Sequence, residues 1–276
     1  MTDVLHRLLR TPQGVMGLVL LAVLLLACLV GGALAPYSPE TMDFAGRFAA
    51  PGMRHWFGAD QLGRDVLSRL LVGARSTIPL AVAATFSGAA VGACLGTLSA
   101  YLGGRWDEAI TRTIDAVMAV PHLLLALILV STLGKGSVNA ALAIAVAVAP
   151  SMARVTRSVA LAVRQQDYVK AAIARGEGGS WIVLREMLPN VAAPVIIEAT
   201  IRVAFAVMLF ATLSFLGLGA QPPASEWGLM VSEARRFMHQ APWIIVAPSL
   251  AIALTAICFN LLGDGLRDAL NPRDER

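Results

Sequence analysis

The sequence has little charge. Asp, Glu, Lys and Arg together make up 14% of its 276 residues, whereas soluble domains usually carry about 25%. Hydrophobic residues make up 57%, and the mean hydropathy is +0.69. This composition argues against a pair of ordinary soluble domains and indicates an integral membrane protein. The net charge of +4 falls in short segments between apolar runs, so we expect no nucleic-acid partner.

Residues with catalytic or metal-binding chemistry are also scarce. Cys28, Cys94 and Cys258 lie far apart in three apolar runs, which argues against a disulfide framework or a Cys-x-x-Cys metal pair. His122 has no neighbouring ligands, so no metal site is predicted. The Gly-Lys-Gly at 134–136 lacks the spacing of a phosphate loop, and the motifs of an intramembrane protease are missing. We therefore expect a chain without catalytic residues that binds no ATP, Mg²⁺ or other cofactor itself.

Long uncharged stretches recur along the chain. A helix needs about 20 apolar residues to cross a bilayer core of about 30 Å. Suitable stretches are residues 14–35, 76–104, 116–134, 136–153, 203–225 and 240–263. The first is too long for a typical signal-peptide core, so we interpret it as a retained helix. The predicted fold class is all-α and membrane-integral, with about six transmembrane helices.

The distribution of Lys and Arg predicts the orientation. Six spans place both termini on one side, which receives thirteen of these residues against eight on the other. Because positive charge favours the cytoplasm, both termini are predicted to be cytoplasmic. The predicted order is a cytoplasmic tail (1–13), a first span (14–35), an external loop (36–75), a five-helix core (76–263) that contains a cytoplasmic loop (165–190), and a cytoplasmic tail (264–276).

Small residues recur at every fourth position of the second span. They are Ala84, Gly88, Gly92, Gly96 and Ala100. In lipid no hydrophobic force drives helices together, so small side chains along one face favour close backbone packing. We expect this ladder to pack against another helix, although chance in an Ala/Gly-rich chain is an alternative.

The loop at 165–190 combines two helical patterns with a glycine-rich break. One helix face is predicted to carry Tyr168, Ala171, Ala172 and Arg175, at i, i+3, i+4, i+7 spacing. Gly176 allows a sharp turn, Ser180 can cap a second helix, and Pro189 is expected to limit it. The second helix should carry an apolar stripe of Trp181, Leu184 and Leu188.

An amphipathic helical hairpin between two spans is typical of a docking element. Small residues let a partner's groove come close, so we expect Ala172 to lie on the face that enters such a groove. A loop that merely lies on the membrane surface is the alternative.

This loop resembles the coupling loop of permeases of ATP-binding-cassette importers. The family pattern is Glu-Ala-Ala, three residues, Gly, nine residues, Ile-x-Leu-Pro. The matching residues are Ala171, Ala172, Gly176, Leu188 and Pro189. Lys170 stands at the pattern's Glu position and Glu186 at its Ile position, which leaves the packing residues in place but removes the acidic group from the first position.

Four further stretches resemble the dipeptide/oligopeptide/nickel permease family, in the subunit type with a short N-terminal span. They are residues 55–70 (beginning His-Trp-Phe-Gly-Ala-Asp), 213–219 (Leu-Ser-Phe-Leu-Gly-Leu-Gly), 222–228 and 260–272. Together with the coupling loop they follow the family's order along nearly the whole chain.

The resemblance implies the permease fold of type I importers and a heteromeric assembly. A second permease completes the pathway, two cytoplasmic ATPases carry ATP and Mg²⁺, and an external solute-binding protein delivers the substrate. The implied location is the plasma membrane of a prokaryote, which is the inner membrane in a Gram-negative cell. Di- or oligopeptides are the expected substrates, nickel or a metal chelate is the alternative, and an ATP-independent transporter or channel is the remote one.

Two ionisable residues stand one turn apart near the fifth span. Glu198 precedes Arg202 in the favourable i, i+4 order for an ion pair. Charges inside a membrane are costly and usually face the protein interior or a wet cavity. A structural ion pair and a role in the pathway both remain open.

The external loop carries charges of both signs. We expect a salt-bridged cap built from Asp60, Arg64, Asp65 and Arg69 together with apolar Trp56 and Leu67. Reception of the solute-binding protein is the alternative role of this loop.

Overall fold

The computed structural model describes residues 6–270, and the regular secondary structure in that range is helical. The helices are α1 (Pro12–Leu34), α2 (Val66–Leu102), α3 (Gly104–Met118), α4 (His122–Leu133), α5 (Ser137–Arg164), α6 (Asp167–Ala174), α7 (Gly179–Phe215), α8 (Trp227–Ala234) and α9 (Trp243–Leu270). The predicted tail segments 1–5 and 271–276 lie outside the described residues.

Five helices are long and apolar enough to cross a membrane, namely α1, α2, α5, α7 and α9. The predicted third span is not one straight helix. It corresponds to α3 and α4, which bend by 87° at a short break and together make a sixth span. Pro121 lies at this break, and a proline disfavours helical geometry in the residue before it.

Other spans also depart from their predicted bounds, and two of these differences have local causes. α2 begins ten residues earlier than expected because the Asp65 side chain accepts a hydrogen bond from the Ser68 backbone N–H and caps the helix. The fifth span was predicted at 203–225, but α7 ends at Phe215. Gly217, with φ +77°, follows in a conformation that favours glycine and ends the helix.

The predicted ladder of small residues in α2 packs against α5. A methyl group added to Gly88, Gly92 or Gly96 would lie 2.4–2.5 Å from a backbone carbonyl oxygen of α5. Ala84 and Ala100 continue the same face and are buried. Real Cβ atoms do not approach a carbonyl oxygen so closely. The close packing of α2 on α5 therefore requires glycine at these three positions.

The remaining spans surround this pair. α7 packs against α2 and α5, α9 packs against α7, and α1 lies outermost against α9 and α2. The molecule has two distinct ends. The loop end contains α6 and the start of α7, and the cap end contains residues 36–65 and α8.

Candidate functional site

The turn after α6 is built on glycine, as the sequence predicts. α6 ends at Ala174, and the Gly176 N–H donates to the Ile173 carbonyl oxygen at 3.0 Å. Gly176 has φ +76°, and a methyl group there would meet nothing within 4 Å. The position therefore requires glycine for its backbone conformation and not for space.

The face of α6 differs from the predicted one at Ala172. Tyr168, Ala171 and Arg175 are exposed, but Ala172 is fully buried together with Val169. Ala172 stands at the edge of the predicted stripe, and α6 rests on that edge. It packs inside the chain in a cluster with Ala100, Ala160, Ile182, Met187 and Val191. Ala172 therefore anchors α6 to the spans and does not itself enter a partner's groove.

The second helix of the loop is not a separate short helix. It starts at Gly179 without a side-chain cap from Ser180 and continues through Pro189 into the span. The prediction that Pro189 ends the helix is wrong because residues 182–187 adopt a wider π-helical turn, in which the Leu188 N–H donates to the Val183 carbonyl oxygen. Such a turn accommodates the missing proline N–H within one continuous helix.

The predicted apolar stripe lies at the base of this helix. Leu184 is 59% exposed, while Trp181 and Leu188 are partly buried. Leu184 and Leu188 line a cavity of about 390 Å³ with Cys94 and Tyr101 of α2. The stripe therefore leaves part of its apolar surface uncovered at the loop end.

Charges on the loop pair locally. Lys170 Nζ lies 3.3 Å from Asp167 Oδ1 within α6, and Arg175 Nε lies 3.5 Å from Glu177 Oε1. Burial, with a smaller contribution from the negative charge of Glu186, raises the pKa of the Tyr168 phenol. Lys170, at the family's Glu position, thus has a partner on its own helix.

The Glu198–Arg202 ion pair forms as the spacing predicts. Arg202 Nη2 lies 2.8 Å from Glu198 Oε1, and each side chain is 24% exposed. The Arg202 Nε has no hydrogen-bond partner within residues 6–270. His122 packs edge-on against Phe205 of α7, with ring centroids 5.5 Å apart. Among the described residues, no three His, Cys, Asp or Glu side chains form a potential metal site.

The cap end contains a largely buried network of ion pairs that joins the segment around Asp60 and the start of α2 to α8. Asp60 Oδ2 accepts from Arg64 Nε and Arg69 Nη1, each at 2.7 Å. The second Nη atoms of both arginines donate to Glu233 Oε2 at 3.0 Å. Sequence reasoning missed Glu233 because it lies more than 160 residues away, in α8, and no local pattern links it to the first loop.

Two predicted members of the cap have other roles. Asp65 caps α2 and its Oδ1 lies 2.9 Å from His55 Nδ1, so it belongs to a separate cluster. Trp56 is 67% exposed and does not pack inside the cap. Sequence reasoning also missed Glu226, a buried carboxyl group that caps α8 by accepting from the Gly228 and Leu229 backbone N–H groups. Burial raises the pKa of Glu226.

Comparisons with known proteins agree with this architecture. Residues 92–275 match the family described as "Binding-protein-dependent transport system inner membrane component", and residues 1–51 match "N-terminal TM domain of oligopeptide transport permease C". The chain is 44% identical over 241 residues to the glutathione transport system permease protein GsiD of Escherichia coli O6:K15:H31, covering 87% of this chain and 80% of that protein. The GsiD proteins of Shigella boydii serotype 4 and Shigella dysenteriae serotype 1 are 44% and 43% identical over the same length and shares.

A solved structure shows the same fold. An inward-facing structure of the MetNI methionine ABC transporter matches with a TM-score of 0.57, covering 74% of this chain and 97% of that chain at 18% identity. The predicted type I permease fold is thereby confirmed. The chain belongs to the family of binding-protein-dependent transport system inner membrane components, and it is a multi-pass permease subunit of an ATP-binding-cassette importer.

Proposed function

We propose that this permease imports glutathione-like compounds or other short peptides, and that its exposed α6 face couples the import to ATP hydrolysis. The similarity to glutathione permeases along 87% of the chain supports the substrate class. The arrangement of α6 is the observation that carries the coupling role. A short helix with Tyr168, Ala171 and Arg175 exposed rests on a buried base, so a force on it acts on α7.

The proposed partners are a second permease, two ATPases that bind ATP and Mg²⁺, and an external solute-binding protein. We propose that this chain contributes half of the pathway and no catalytic group. ATP binding would draw the ATPases together and move the docked loops, which would switch the side to which the pathway opens.

Reconstitution with the cognate partners tests the coupling role. Ala171→Arg places a bulky charge on the exposed face, so it should leave chain abundance unchanged while it abolishes ATPase co-purification or uncouples hydrolysis from uptake. Ala172→Arg buries a charge at the base of α6 and should lower the abundance of the folded chain instead. Wild-type docking, hydrolysis and uptake with Ala171→Arg would remove the coupling role from α6.

The same vesicles test the substrate class. Uptake of labelled glutathione and of a dipeptide should depend on ATP, and nickel uptake should stay at background. Uptake of nickel alone would make the metal alternative correct.

The proposed orientation places both termini and α6 in the cytoplasm. In a background in which Cys28, Cys94 and Cys258 are replaced by alanine, Ala50→Cys should react with an impermeant thiol reagent added to intact cells, and Ala174→Cys should not. The opposite pattern would invert the topology.

A further inference from the structure

One face of α7 remains uncovered although α7 packs against three other spans. Its neighbours α2, α5 and α9 cover the other faces. The α7 stripe consists of Glu198, Arg202, Phe205, Met208 and Thr212, which are exposed or partly buried at helical spacing. Val203 and Val207, on the opposite side, are fully buried.

The charged part of the α7 stripe lies within a helix that is long and apolar enough to cross a membrane. Arg202 is thirteen residues from the end of α7 at Phe215, which corresponds to about 20 Å along a helix. A bilayer core is about 30 Å thick, so a membrane span that ends at Phe215 includes both Glu198 and Arg202. Ionisable side chains at such depth face water or protein and not lipid.

The α7 stripe borders a recess. Towards the cap end, Met208 and Thr212 line a cavity of about 310 Å³, whose other walls include Val231 of α8 and Ser249 of α9. The Phe205 ring, between the ion pair and this cavity along α7, contacts the ring of His122. The stripe thus joins an ion pair, an aromatic contact and a cavity along one line through the membrane.

The ion pair retains unused binding capacity. Glu198 engages one Nη atom of Arg202 through one carboxylate oxygen, and each side chain remains 24% exposed. A carboxylate can accept two parallel hydrogen bonds from a guanidinium group, while a carboxylate such as Glu198 can pair with an ammonium group. Opposite charges one helical turn apart therefore complement a solute that carries both groups.

We propose that the Glu198–Arg202 pair is a substrate-contacting subsite on the wall of the pathway, specific for zwitterionic solutes. Arg202 takes the solute carboxylate and Glu198 takes its ammonium group, so the pair exchanges partners without leaving a net charge unpaired. This subsite rests on the proposed import of peptides and names the residues that read their ends.

Thiol chemistry tests whether the α7 stripe is wet. In the assembled complex without native cysteines, Phe205→Cys should react with small charged methanethiosulfonates. Leu26→Cys, which is exposed at the middle of α1, should not react because it faces lipid. Equal inertness of both cysteines would overturn the proposal.

The same reagents report the charges of the pair. Adding Arg202→Gln should lower the ratio of anionic to cationic reagent rates at Phe205→Cys by about fivefold, and adding Glu198→Gln should raise it by a similar factor. Ratios that do not change would show that the pair does not face the pathway.

Uptake kinetics separate a substrate contact from a structural ion pair. With peptide delivered by the binding protein, Arg202→Gln should lower maximal uptake at least about tenfold, while KM, complex yield and stimulated ATP hydrolysis stay at wild-type values. Arg202→Lys, which keeps the charge, should restore part of the uptake. Arg112→Gln, in the exposed Glu108–Arg112 pair of α3, is the matched control and should transport normally. Loss of yield and hydrolysis in parallel with uptake would assign the pair a structural role.

The two proposals fail in different ways. If wild-type vesicles import no peptide, the proposed substrate class is wrong, and the thiol rates still measure the pathway. If wild-type vesicles import peptide and both glutamine variants match their uptake, only the subsite is overturned.

Discussion

The loop end and the cap end use ion pairs in opposite ways. At the cap end Asp60, Arg64 and Arg69 are almost fully buried, and they connect the first loop to Glu233 of α8. At the loop end the pairs join residues two or three positions apart and lie largely in solvent. Removing one partner of a buried pair leaves an uncompensated charge, whereas exposed pairs contribute little. The cap pairs therefore hold two distant segments together, whereas the loop end leaves its charged side chains largely exposed.

The largest effect is expected at the cap. Arg69→Met leaves the buried Asp60 carboxylate and the partly buried Glu233 carboxylate with Arg64 alone and should destabilise the chain by about 3–5 kcal/mol. Thermal unfolding of the purified complex measures this change. Arg112→Met removes an exposed ion pair and should stay within about 0.5 kcal/mol. Similar shifts for both variants would contradict the contrast between buried and exposed pairs.

A second strong effect is expected midway between the two ends. Gly92→Leu drives a side chain into the Ala149 carbonyl oxygen, which already lies 2.5 Å from the position of a Cβ, and should cost at least about 1–3 kcal/mol. Leu95→Ala, on an exposed part of α2, should cost less. The yield of assembled complex compares them, and an equal loss would show that close packing of α2 and α5 is dispensable.

A smaller effect is expected at the loop turn. Gly176→Ala imposes a side chain at φ +76° and should destabilise the loop by about 1–2 kcal/mol, with faster amide exchange in α6. Gly178→Ala is the matched control because its φ is −65° and nothing lies near its Cβ position. If both variants exchange alike, the turn does not depend on the left-handed conformation.

The smallest effect is expected at Lys170. Lys170→Ala removes only an exposed contact of 3.3 Å with Asp167 and should change stability by less than about 0.5 kcal/mol. Thermal unfolding checks this value, and a drop of several kcal/mol would mean that the loop end is held by its charges like the cap end.

Local patterns predicted much of this structure. The number of spans, the ladder at Gly92 and the turn at Gly176 each follow from a requirement that nearby residues express, namely membrane thickness, helix spacing or backbone conformation. The ion pair of Glu198 with Arg202 is also local, since its partners are one turn apart.

The features that were predicted wrongly or not at all have a different physical origin. Pro189 was expected to end a helix, but whether a proline breaks a helix depends on the π-helical turn before it. The inward turn of Ala172 depends on where α6 rests against Ala100 and Ala160. Glu233 meets Arg69 through a contact between segments that lie far apart in the sequence. Tertiary contacts decide these features, and a single sequence does not display them.

The continuity of α7 has a mechanical consequence. Its 37 residues correspond to about 55 Å, from the loop end to the cap end. Over that length, a tilt of the helix axis by about 10° about one end moves the other end by about 10 Å. With α2 clamped to α5, a tilt of α7 against this pair would move its cap end by about the width of one helix.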